Sequence, residues 1–255
     1  MDYIKTNGII VRETPVGDGD RSITVIGEGI GKFYAYVRGA RKTRSKLSAA
    51  TDFLAYSEFV IYKKRENYEI SSCEMKESFF PLREDTVLLT YASHMAEVFT
   101  DMVSENQKAD ELLKLFLNTL SILAKNTKDP LFLTRIYEFR AICLSGYMPI
   151  LDKYTCCIEK KDQDTENLPT DKLFFCYDQG GLICGDCYKK YSRSTEISIG
   201  CLKALMYIAY SDNRRLFSFT VDKTVLNELN IVIPAYLERL YEKRYTKLEY
   251  IKKLK

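Results

Sequence analysis

The densest chemistry in this sequence is a run of cations. Between Gly29 and Thr51 there is no acidic residue, yet the same window holds Lys32, Arg38, Arg41, Lys42, Arg44 and Lys46. Phe33, Tyr34 and Tyr36 stand just before the run. Clustered Lys and Arg neutralise phosphates and release their counterions. Aromatic faces beside them stack on unpaired bases, at about 1–3 kcal/mol per base. Such binding depends strongly on salt and only weakly on sequence. The signal says polyanion more clearly than it separates DNA, RNA, lipid or an anionic protein. A solvated loop that keeps the surface soluble is the plainer reading. Tyr34 and Tyr36 share one strand face by the two-residue period, where packing and base stacking are both open.

Cysteine is the second signal, with eight in the chain. Cys184-Gly185-Asp186-Cys187 is a two-residue-spaced pair just after Gly180-Gly181, a knuckle that lets two thiolates approach one tetrahedral ion. Cys157 makes a third ligand, and Cys156 or Cys176 the fourth. The adjacent pair Cys156-Cys157 aims both sulfurs at one metal only under strain. A structural Zn2+ here would fold a segment too small to build its own core. A redox dithiol at Cys184 and Cys187 lacks the strand–helix context such motifs need, and buried thiols are the remaining alternative. Cys73, Cys143 and Cys201 fall in strand or helix patterns and read as core.

Catalytic groups are in short supply. The single histidine, His94, lies in an amphipathic helix with no nucleophile motif near it. No glycine loop followed by Lys-Ser/Thr cradles a phosphate. Gly27-Glu28-Gly29-Ile30-Gly31 reads as a hairpin turn, and Asp18, Asp20 and Glu28 as turn residues. An enzyme is not expected. A zinc hydrolase needs an open metal position and a general base, which an all-Cys set does not offer.

The elements that must position these groups come in three blocks. Residues 1–80 supply five strands, at Tyr3–Arg12, Ser22–Ile26, Lys32–Arg38, Phe53–Tyr62 and Tyr68–Phe79, joined by glycine-rich turns. That count in so short a stretch suits a small barrel. Residues 81–150 and 191–255 carry apolar side chains at helical spacing. Helices are predicted at Leu82–Val103, Asp110–Lys125, from Pro130 to near Gly146, at Ile199–Tyr210, near Lys223–Leu229, and as a long basic helix over Pro234–Leu254. Residues 151–190 form a Cys-rich, loop-rich insert. The net charge of +3 makes any basic surface local rather than global. The polar start and the absence of a long apolar run predict a cytoplasmic, nucleoid-associated protein with no membrane contact.

In order along the chain, these residues resemble the RecO recombination-mediator family. Gly17-Asp18-Gly19-Asp20-Arg21, Gly31-Lys32, Arg38-Gly39-Ala40-Arg41-Lys42 and Ser45-Lys46-Leu47 are similar to its N-terminal signature. Pro130 to Glu138 resembles its central helix, Gly146 to Asp152 the approach to its zinc module, and Phe175 to Cys187 the way out of it. Two departures stand out. Tyr154 occupies the first position of the usual Cys-x-x-Cys, with Cys157 at the second, and Leu47 stands where an aromatic or basic residue is usual.

The resemblance implies an α+β chain: a five-stranded OB-fold β-barrel, then an α-helical domain with a zinc-finger-like insert. It implies recombinational repair with RecR and often RecF. Binding of single- and double-stranded DNA, annealing of complementary strands and help for RecA in replacing single-strand-binding protein (SSB) come with it. Within that frame Lys32, Arg38, Arg41, Lys42, Arg44 and Lys46 are the candidate DNA stripe. Arg239, Lys243, Arg244, Lys247, Lys252 and Lys253 on the last helix either extend the DNA track or hold the acidic SSB tail, and Arg135 and Arg140 on the central helix are other candidates for that tail. The competing class is a scaffold that binds protein partners, or RNA, rather than DNA.

Overall fold

The structure, a computed structural model, describes residues 3–42, 45, 47–64, 67–155 and 172–254. The chain divides into two compact units, one of Met1–Lys128 with Lys247–Lys255, the other of Asp129–Thr246.

In the first unit β1 (Tyr3–Val16), β2 (Asp20–Gly27), β3 (Gly31–Val37), β4 (Tyr56–Lys64) and β5 (Asn67–Glu77) close into a barrel of order β1-β2-β3-β5-β4. β3 and β5 run parallel, through Ala35–Tyr68 and Tyr36–Glu69; the other neighbours are antiparallel. This is the OB arrangement. Period-two alternation sends Ile23 and Val25 of β2, Phe33, Ala35 and Val37 of β3, and Phe59 and Ile61 of β4 inward. α1 (Leu47–Ala50) lies between β3 and β4.

Where one helix is predicted over Leu82–Val103 there are two, α2 (Phe80–Glu84) and α3 (Thr86–Met102). Asp85 separates them: it is extended, and its carboxylate accepts from the backbone of Val87 and Leu88, capping α3. α4 (Asp110–Ala124) follows. The β2–β3 turn docks on the α3–α4 connection. Gly29 N–H donates to Asp110 at 2.8 Å and Asn106 N–H to the Lys32 carbonyl at 3.1 Å. Gly31 has φ +73°, and a Cβ there would lie 2.0 Å from the Gln107 carbonyl oxygen, so only glycine fits.

The second unit is built round α5 (Pro130–Ile142), which is buried on nearly every side. Gly146, at φ +88°, ends the wider turn that follows it. α6 (Ile199–Tyr210) matches its predicted span. The predicted break before Pro234 does not exist. α7 runs Lys223–Tyr241 through the proline, and the chain then breaks before α8 (Lys247–Leu254), which belongs to the first unit. Pro234 forfeits the N–H bond to the Asn230 carbonyl and crowds that carbonyl with its ring, and the helix continues through it on the burial of Val232, Ile233, Tyr236 and Leu237.

The described part of the insert is not loop-rich. β6 (Ile150–Tyr154), β7 (Leu173–Cys176), β8 (Gly181–Cys184) and β9 (Ser194–Ile197) form a sheet of order β6-β8-β7-β9. Phe175 meets Tyr236 of α7 edge-on, with ring centroids 5.2 Å apart.

Candidate nucleic-acid interface

The cationic residues after β3 are presented outward by a buried alanine. Ala40 is completely buried in the barrel core, so Arg38 before it and Arg41 and Lys42 after it are left exposed. The loop is pinned to the β1–β2 turn. Arg41 N–H donates to the Gly19 carbonyl at 2.9 Å, and its guanidinium to the Gly17 carbonyl at 3.1 Å. The Lys42 stem lies over Gly19 and Gly39. Lys42 N–H closes a turn onto the Gly39 carbonyl at 3.2 Å. Oligonucleotide-binding barrels use this rim, around the β2–β3 face and the β1–β2 and β4–β5 loops.

Lys32 does not join this group. It sits at the other end of β3, about 20 Å along the strand. Its ammonium donates at 2.9 Å to the Thr100 carbonyl in the last turn of α3, where a cation also meets the negative end of the helix dipole. Arg44 and Lys46 lie outside the described residues. The structure therefore brings together Arg38, Arg41 and Lys42.

The cationic window is acid-free in sequence but not in space. Glu69 of β5 pairs with Arg38 at 3.2 Å and with Lys64 of β4 at 2.6 Å, and also accepts from the Tyr62 hydroxyl. Those contacts, Lys64 first, hold its carboxyl below the usual range. Arg38 is still 68% exposed, and a pair this open holds the guanidinium only weakly. Asp20 of β2 accepts from Gly39 N–H at 2.7 Å and from the Tyr36 hydroxyl. The Gly39 amide and then Tyr36 hold its carboxyl low. Its neighbour Arg21 turns the other way, to Asp52 at 2.7 Å and Glu13 at 3.2 Å. Lys64, Glu69 and the anchoring role of Asp20 went unseen in sequence. Only the β3–β5 pairing brings Glu69 and Lys64 beside Arg38, and nothing in the primary structure announces a parallel pairing. The rings of Tyr34 and Tyr36 do share the outer face of β3, with Tyr36 tied to Asp20.

The candidate tail-binding residues are not gathered. In the second unit Arg135 is buried, paired with Glu138 and donating to Asn230 of α7 at 2.9 Å. Arg140 caps the end of α6 through the carbonyls of Ile208 and Ala209. Arg239 binds Asp178 at 2.5 Å and lines a cavity of about 520 Å³ with Tyr177, Arg193, Glu238 and Glu242. Lys243 and Arg244 fall in the link after α7, with the Lys243 ammonium 5.1 Å from the centre of the Tyr245 ring. In the first unit Lys247 of α8 binds Glu97 of α3 at 2.6 Å. A single basic helix from Pro234 does not exist to carry a continuous track. For Lys252 and Lys253 the backbone lies in α8.

The cysteines fit a metal in part. Cys184 and Cys187 flank a tight turn in which Cys187 N–H donates to the Cys184 carbonyl at 3.1 Å, which suits two thiolates on one ion. Cys176 sits at the far end of the β7–β8 pair, since Cys184 lies opposite Leu173, about 10 Å along the strand. It packs with Phe174 and Ile183. The structure does not bring Cys176 to the turn. Cys156 and Cys157 lie outside the described residues. Among the described residues no three His, Cys, Asp or Glu side chains gather as a metal site. No helix among them is long and apolar enough to cross a membrane.

Residues 1–79 match the family profile described as Recombination protein O N terminal, and residues 83–249 the one described as Recombination protein O C terminal. A DNA repair protein RecO from Acetivibrio thermocellus is 39% identical over 254 residues, covering 100% of this chain and 98% of that protein. Its namesakes from Caldicellulosiruptor saccharolyticus and Alkaliphilus metalliredigens are each 29% identical, covering 100% and 98% of this chain and 100% and 99% of their own lengths. With an OB barrel leading, helices following along the chain and both family profiles matched in order, the chain belongs to the RecO family.

Proposed function

We propose that this chain is a DNA repair protein of the recombination-mediator kind, holding DNA by its sugar–phosphate backbone and catalysing no covalent chemistry. The observation that carries the reading is the exposed Arg38–Lys42 loop, fixed on the rim that oligonucleotide-binding barrels use. Cations held there neutralise phosphates and leave base edges free, which lowers repulsion between two strands and favours annealing. Work with RecR and RecF, contact with the SSB tail and delivery of strands to RecA belong to the same reading by family membership.

The test is a fluorescence-anisotropy titration with oligo-dT over a series of salt concentrations. Replacing Arg38, Arg41 and Lys42 together by alanine is expected to weaken binding and to flatten the salt slope by about two, at about 0.7 per lost contact on a single strand. An unchanged slope and affinity would leave the scaffold reading in its place. Zinc, as a structural ion on Cys184 and Cys187 completed by Cys157 and Cys156, is part of the proposal. Its residue pattern fits at the Cys184–Cys187 turn, and elemental analysis of the purified protein decides it.

A further inference from the structure

An anion in the middle of a polyanion-binding surface needs a reason. Asp20 lies within Coulombic reach of Arg38 and Lys42, so its charge repels any phosphate those residues attract. Glu69 accounts for itself by pairing with Arg38 and Lys64. Asp20 does not: among the described residues it makes no ion pair within 4.0 Å. Its oxygens are engaged by the Gly39 backbone N–H at 2.7 Å and by the Tyr36 hydroxyl. Gly39 is the hinge of the loop, at φ +66°, with Arg38 on one side and Ala40, Arg41 and Lys42 on the other.

We propose that Asp20 is a positioning residue for the cationic loop, retained because it fastens the loop's backbone to the start of β2. This rests on the reading of that loop as a phosphate-binding element. The carboxylate and the Arg41 N–H to Gly19 bond form two fasteners on either side of Ala40. Together they hold three cations in one arrangement before DNA arrives. Without the first fastener the backbone at Gly39, and with it Arg38, is fixed only on binding, and fixing even one residue then costs on the order of tenfold in affinity.

Charge and positioning predict opposite signs, which makes the idea testable. Asp20→Ala and Asp20→Asn remove the same negative charge. If Asp20 acts only through its field, both variants bind oligo-dT more tightly and to the same degree. If it positions the loop, Asn restores the fastening: its carbonyl oxygen accepts from Gly39 and its amide donates to the Tyr36 hydroxyl oxygen. The expected result is that Asp20→Ala binds about tenfold more weakly than Asp20→Asn, with Asp20→Asn equal to or tighter than the parent chain. Equal affinities for the two variants overturn the proposal.

Arg41→Ala/Lys42→Ala serves as the control for the underlying reading. If this pair leaves affinity and salt slope unchanged, the phosphate-binding loop itself is wrong. If the pair weakens binding while the two Asp20 variants agree, only the positioning role fails. Thermal melting of each variant checks folding. Should Asp20→Ala not fold, Tyr36→Phe decides: it keeps the ring and every charge and removes one bond to Asp20. A several-fold loss of affinity is then expected, and no loss refutes the role.

Discussion

Lys32 is the sharpest place to separate the stripe read from sequence from the surface seen in the fold. Lys32→Met keeps most of the aliphatic stem and removes the ammonium. In the structure that ammonium donates at 2.9 Å to the Thr100 carbonyl, at the C-terminal turn of α3. A hydrogen bond from a charged group contributes about 1.5–3 kcal/mol, and a cation at a helix C-terminus about 0.3–1 kcal/mol. Lys32 is only half-buried, so water replaces part of the lost bond and a net cost of about 1–2 kcal/mol is expected. Urea unfolding should show a lower midpoint at unchanged slope. Oligo-dT binding by the folded protein should keep its salt slope. If the slope falls by about 0.7 while the urea midpoint stays put, Lys32 faces phosphate, and its assignment to α3 is wrong.

Three further outcomes follow from the geometry. Glu69→Gln releases Arg38 and Lys64 from their shared carboxylate and should tighten oligo-dT binding by up to about fivefold at low salt; weaker binding would contradict the pairing. Gly31→Ala places a methyl 2.0 Å from the Gln107 carbonyl oxygen at φ +73°, so it should cost more than about 2 kcal/mol, from left-handed strain plus undocking of the turn, and a melting temperature equal to the parent's would refute the docking. Burial pushes the Cys73 thiol up to about 11 and the Cys143 thiol up to about 12, and raises that of Cys201 further. Raised values leave almost no thiolate at pH 8, so mass spectrometry after iodoacetamide treatment should find these three unlabelled in native protein and labelled in urea; rapid native labelling would show that they are not packed.

The barrel was legible because its strands are long and β3 and β4 each turn one side toward water. Phe33, Ala35 and Val37 of β3 and Phe59 and Ile61 of β4 alternate with half-buried or exposed neighbours, and glycine turns mark the ends of β2 and β3. The insert's sheet was not, because Leu173–Cys176 and Gly181–Cys184 are four residues each and buried throughout. A strand covered on both faces shows no alternation to read. Pro234 was mistaken for a helix start because proline favours a first turn, and packing of Val232, Ile233, Tyr236 and Leu237 overrides that local preference. At the candidate site, the cations that lie close in sequence were visible and their opponents were not. Arg38 and Glu69 are 31 positions apart, and Lys32 looked like a member of the cluster because chain distance hides the length of a strand.

The return of α8 to the first unit carries a consequence for how the molecule is made. Lys247 of α8 reaches Glu97 of α3, so the earliest-synthesised part waits for one of the last-synthesised pieces. Everything from Asp129 to Thr246 must leave the ribosome before that part is whole. During this interval the surface of α3 that α8 covers stays open to chaperones and to misdirected contacts. Joining the ends across so long a span adds little entropy beyond what a shorter span would demand, since closure grows only with the logarithm of length. The burden is therefore one of timing, and it falls on the nascent chain.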